Sequence, residues 1–266
     1  MAALGSAVII AGLTQTANAA SADTKPTRTP ETATPVDYIA YLAHQSANGA
    51  AGAGEALQAF RGLSSAAKET YLDHLNNPAA LEALLQAVGE AEPDPDPETA
   101  SAPVSATAAV GETKTVATTT ASKTLADGDI VIETTQEATF TPDPDDIPGP
   151  TQPSGKLRRG TWESTYRVTQ RIFGVPVTRL SVWVNYYTNG NKITRVNHAD
   201  GGKRNFNAAV AITKSLPKAW KSGSYANGSV GWEGSIVFKD FGITIDKRQK
   251  VYANEYGFRG GYLKNI

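Results

Sequence analysis

Chemistry in this chain would have to be built from few parts. Cysteine is absent, which removes thiol nucleophiles, disulfides and cysteine-ligated metal sites. Only three histidines occur: His44, His74 and His198. A helical zinc pair needs histidines four apart, and His44 and His74 are 30 apart. His198, in "NHADGGKRN" beside Asp200, has no nucleophile motif with which to form a triad; it reads as a solvated turn residue. Asp127, Asp129 and Glu133 lack the order of a calcium loop, and "GFRGGY" lacks the ending of a phosphate loop. Glu163 and Glu233 each follow a tryptophan and would serve glycoside hydrolysis if they faced one cleft. Strand-surface acids paired with lysine and arginine are the simpler reading. These observations predict no catalytic residue, no cofactor and no metal.

What remains is charge and aromatic surface. Residues 154–266 carry 19 Lys and Arg against 6 Asp and Glu, whereas the rest of the chain carries 6 against 20. A basic half of this kind points to an anionic partner. The expected binding surface comprises Arg167, Arg171, Arg179, Trp183, Tyr187, Arg195, Lys203, Arg204, Lys247, Arg248 and Lys250. Fixed positive charge concentrates anionic polymers or lipid headgroups, and Trp and Tyr anchor at membrane interfaces. The expected partner is an anionic cell-envelope polymer or lipid surface. Nucleic acid is disfavoured by the export signal described next.

Residues 5–13, "GSAVIIAGL", form a short apolar run, and "ANA" at 17–19 supplies small residues for cleavage, so residues 1–19 read as a signal peptide and the protein as secreted. The run is too short to span a bilayer, and no transmembrane helix is expected in the mature protein. Residues 20–35, rich in Thr, Pro and Ala, read as disordered. Residues 36–90 read as a helical module of four short helices: Ser64 or Ser65 caps one whose face carries Tyr71, Leu72 and Leu75, and Asn77 caps the last, with Pro78 at its first position. Residues 91–155 hold nine prolines and 12 acids against two lysines, an extended acidic linker with one strand at 129–140.

From 156 to 266 the chain is rich in Val, Ile, Thr, Tyr and Trp, with apolar alternation in "LSVWVNYY" and a hairpin signal at Asn189-Gly190. "FNAAVAITKSLPKAW" fits a short helix or a strand, ended by Pro217. The fold class expected is α+β: a small helical N-terminal module, a disordered acidic linker and a C-terminal antiparallel β domain, sandwich or open barrel. "RIFGVPVTRL" and "KDFGITIDKR" repeat a Phe-Gly cassette 68 positions apart, read as two equivalent hairpin corners from which Arg179 and Lys247 leave toward solvent.

The pattern Leu63, Ser64, Tyr71, Leu72, Leu75 and Pro78, an acidic spacer, then Phe173-Gly174, Val177-Thr178, Tyr186-Tyr187 and Asn189-Gly190 resembles secreted Gram-positive proteins related to geobacillin-type large bacteriocins. The resemblance covers about half the chain and rests on turns and core positions. It implies an exported protein acting on other bacteria and transfers no catalytic residue. The leading expectation is therefore a secreted, non-enzymatic, bacteriocin-like antibacterial or envelope-active protein. A secreted cell-wall polymer binding or adhesion module is the alternative, and a small secreted hydrolase the second.

Overall fold

The computed structural model describes residues 30–77, 114–143, 156–238 and 241–266. Among the described residues three α-helices come first: α1 (Pro35–Ala47), α2 (Ala53–Gly62) and α3 (Ser65–Leu75). Thr34 caps α1 reciprocally with Asp37, Pro35 opens its first turn, and Ser64 Oγ accepts the Ala67 N–H at the start of α3. Order begins before residue 36. Pro30–Thr32 form a 3-10 turn, and buried Thr32 donates its hydroxyl to Asn76 Oδ1 (3.0 Å). The helix expected after Asn77 and the signal peptide both lie outside the described residues.

Among the described residues, ten antiparallel strands follow in two sheets. The first sheet runs β1 (Lys114–Leu125), β2 (Ile130–Pro142), β3 (Gly160–Ile172), β4 (Val175–Thr188) and β5 (Ile193–Asn205), in chain order. The second has the order β10 (Gly257–Asn265), β9 (Phe241–Asn254), β8 (Tyr225–Phe238) and β6 (Val210–Lys214), with β7 (Lys218–Ser222) also paired to β8. Two of the first sheet's strands thus lie within the expected linker. The strand anticipated at 129–140 is half of a hairpin whose other half, β1, carries no apolar alternation. Its described side chains from Thr120 to Thr124 are all exposed, so no burial pattern marked it.

Trp162, Tyr166, Val168 and Ile172 on β3 and Leu180, Val182, Val184 and Tyr186 on β4 point at Val230, Trp232 and Val251 of the second sheet. Gly228 lets the sheets close up: a Cβ there would fall 2.9 Å from Val184 Cβ and 3.0 Å from that of Ala199. Gln249, fully buried, ties the layers together. Its amide donates to the Tyr166 and Leu180 carbonyls of the first sheet, and its Oε1 accepts from Trp232 Nε1.

The helices pack at the β3–β4 turn end of the first sheet. Val175, Val177 and Phe206 lie there, buried, in the same apolar core as Tyr38, Leu42, Phe60, Leu72 and Leu75. Tyr38 donates to the Phe206 carbonyl and Asn207 to that of Leu75. His74 Nε2 meets Asp129 at 3.0 Å beside the β1–β2 turn.

The two Phe-Gly cassettes are not equivalent corners. Phe173-Gly174 is itself a two-residue turn, with φ of 47° and 78°, the primed geometry that suits a twisted hairpin. Phe241-Gly242 instead begins β9, where Phe241 pairs with Phe238. Asn189-Gly190 does open the β4–β5 hairpin, in a four-residue connection in which Asn189 Oδ1 accepts the Asn191 and Lys192 N–H groups. The segment around Pro217 is neither one helix nor one strand. β6 and β7 pair with β8 on either side of it, so the proline sits at an irregularity on a sheet edge, where no ladder donor is lost.

Replacing Gln249 by leucine should remove about 3 kcal/mol of stability, because Trp232 Nε1 would be buried without an acceptor and the inter-sheet bonds would vanish. Urea midpoints measure this. An unchanged midpoint would mean the bridge contributes nothing.

Candidate functional site

The structure divides the expected basic surface into two faces and an interior. Arg167 and Arg171 on β3, Arg179, Trp183 and Tyr187 on β4, and Arg195 and Arg204 on β5 share the outward face of the first sheet. Lys203 has the opposite parity, is exposed, and reaches across to the Ile212 carbonyl on β6. Lys247, expected at the surface, points inward and is 2 % exposed, because alternation sets it beside Trp232; burial lowers its pKa. Only Arg248 and Lys250 lie on the outward face of the second sheet.

Much of the first sheet's charge is answered internally. Arg171 Nε meets Glu133 at 3.0 Å and its Nη1 meets Glu55 of α2 at 3.3 Å; Arg167 meets Glu137 at 3.5 Å, and Arg204 meets Glu55 at 3.7 Å. Burial, and then neighbouring guanidinium charge, lowers the pKa of Arg179 and Arg204. Arg179 therefore does not run freely to solvent. It stands directly opposite Arg204 at the margin of the helical footprint.

Farther along the same face, Glu163, Asn185 and His198 form one cross-strand row. His198 lies within β5 and not in a turn. The glycines that made its segment look like a loop serve the sheet's two crowded faces: Gly201 admits Trp232 from the inner side, and Gly202 lies under the Trp183 ring. Burial raises the Glu163 pKa against the opposing effects of Asn185 and His198. Glu233 is exposed and follows inward Trp232, as Glu163 follows inward Trp162, so these acids point outward from different sheets. They share no cleft.

The second sheet's outward face holds a groove of about 430 Å³. Its floor is Ser229 and Gly231 on β8, small residues between longer side chains. Leu216, Lys218 and Trp220 rise on one side, and Arg248, Lys250 and Tyr262 on the other. The Lys250 ammonium lies 5.6 Å from the Trp220 ring centre and 5.1 Å from that of Tyr252; Lys264 sits 4.6 Å over Tyr262. Leu216, Trp220 and Ile266 are 86 %, 39 % and 68 % exposed, three of the four large apolar side chains exposed among the described residues, and all line this groove. Glu233 and Asp246 face each other across β8 and β9 at its far end. Leu216 and Ile266 were missed from the sequence, whereas Lys218 was read there only as one of many basic surface residues. Leu216 lies beside the irregularity at Pro217 and Ile266 follows the end of β10, and no periodicity marks either.

No family model matches the chain, and no curated protein does. Among solved structures, a hypothetical protein from Listeria monocytogenes is 16 % identical, over 56 % of this chain and 92 % of that one, at a TM-score of 0.21. Agreement at that level assigns neither fold nor function. Among the described residues no helix is long and apolar enough to cross a membrane.

A raised folded pKa at Glu163 means that folding penalises its carboxylate. The penalty is absent below the ordinary value of 4.5 and grows as pH rises through the folded value. Glu163→Gln should therefore be more stable than the parent at pH 7, with the gap closing below pH 4.5. Thermal melts across pH check this; a variant with the parental pH slope would contradict it.

Proposed function

We propose that this chain is an exported, non-enzymatic protein that engages anionic cell-envelope material through the groove on its second sheet, with a bacteriocin-like action on other bacteria. One observation carries the reading: exposed Leu216, Trp220 and Ile266 share a groove with Lys218, Arg248 and Lys250. Cations alone would suit any polyanion. Cations ringed by exposed apolar side chains suit a surface whose charge overlies hydrocarbon, as in an anionic lipid layer. The β region is read here as a sandwich in preference to an open barrel, supported by the Gln249 bridge across two facing sheets.

Attachment to a cell-wall polymer, as in adhesion, is the second reading. The row Glu163, Asn185 and His198 beside Trp183 favours it, since a polar row next to an aromatic ring suits sugar hydroxyls. A hydrolase using Glu163 with Glu233 is not supported, because the two acids point away from each other.

Vesicles with and without anionic lipid separate the readings. Binding should require anionic lipid and weaken with salt. Lys250→Gln should cost about fivefold in affinity, the worth of roughly 1 kcal/mol for one cation near such a surface. Equal binding to neutral vesicles, or none to any, would end the lipid reading.

A further inference from the structure

Like charges directly opposite each other on neighbouring strands are destabilising, and burial makes them worse. Arg179 and Arg204 stand in that relation, with Arg167 and Arg171 around them. The carboxylates that face this group are Glu55, Glu133 and Glu137, and each is engaged by Arg167, Arg171 or Arg204. Among the described residues no carboxylate or carbonyl meets the Arg179 guanidinium, and its Nε is buried without a partner. The Arg204 side chain is only 10 % exposed, and its Nε and Nη2 are likewise buried without partners, as is Arg167 Nε. Unpaired buried donors on three neighbouring guanidinium groups call for an acceptor.

The helix above supplies the rest of the site. Arg204 Nη1 packs so closely on Gly52 that a Cβ there would collide with it. Gly52 is the left-handed N-cap of α2, and no side chain caps that end of the helix. A helix N-terminus carries partial positive charge, so α2 adds to the guanidinium charge beneath it. Glu55 is the acidic residue in the first turn of α2, half exposed and held only at 3.3 and 3.7 Å. Its exposure allows it to swing aside.

We propose that Arg167, Arg179 and Arg204, with the uncapped N-terminus of α2, form a binding site for a tetrahedral oxyanion, a phosphate or phosphomonoester, that replaces Glu55. Guanidinium forks match phosphate oxygens in pairs, which a surface lysine cannot do. This site lies on the opposite sheet from the groove proposed to engage the envelope, and it stands or falls independently.

Titration calorimetry of the full chain with inorganic phosphate, at ionic strength held constant with chloride, tests it. The parent should bind. Arg179→Gln should bind about tenfold more weakly or worse, the loss of a charge-assisted contact. Glu55→Gln should bind more tightly, a gain that a misfolded protein cannot produce. Phosphatidylcholine vesicles with and without phosphatidic acid identify the source: binding that requires phosphatidic acid and is lost in Arg179→Gln assigns a lipid headgroup, and binding of free phosphate alone assigns a soluble phosphate. No binding by the parent or by Glu55→Gln, or affinity unaltered by Arg179→Gln, would overturn the proposal and leave the arginine row a structural cost of docking α2.

Discussion

The seam between the two sheets sets the rest of the molecule. Gln249 donates to Tyr166 and Leu180 across it and accepts from Trp232, with Gly228 and Gly201 bringing the layers into contact. A buried amide with every bond satisfied fixes one register, because slipping a strand by one residue would turn its apolar set outward. Once the inner faces are committed to each other, recognition is left to the outward faces and the sheet edges. One outward face is partly roofed by the helices. The other is open.

That division gives the charge asymmetry of the chain a physical meaning. Basic residues on the first sheet meet Glu55, Glu133 and Glu137, which come from the part of the chain rich in acid. There, part of the asymmetry is contact between the two halves. On the second sheet, Lys218, Arg248 and Lys250 face solvent around exposed apolar side chains. The short helices are individually marginal, and they gain stability by burying Phe60, Tyr71 and Leu72 in the apolar core that also holds Val175, Val177 and Phe206.

Strong periodicity was legible in the sequence, and so were local signals. The alternation of "LSVWVNYY", the Ser64 cap and the Asn189-Gly190 hairpin all follow from short-range physics. β1 was not legible, because a Thr-rich strand exposed from Thr120 to Thr124 leaves no pattern. Nor was β5 around Gly201 and Gly202, since glycine there answers to tryptophans from distant strands. The candidate surface was legible as composition but not as geometry. Sequence placed Lys247 with Arg248 and Lys250, and only the parity of β9 against Trp232 turns it inward. Leu216 and Ile266 joined the groove through an edge irregularity and a strand end, neither of which has a period.

The second sheet's groove is proposed as the surface that lies along an anionic lipid layer, separate from the phosphate site at Arg179, and the tryptophans allow a direct reading. Trp162 and Trp232 are buried, Trp183 lies on the first sheet, and Trp220 lines the groove. Fluorescence quenching by brominated anionic lipid should be abolished in Trp220→Phe and kept in Trp183→Phe. Quenching that survives loss of Trp220 and disappears with Trp183 would contradict this by placing the lipid-facing surface on the first sheet.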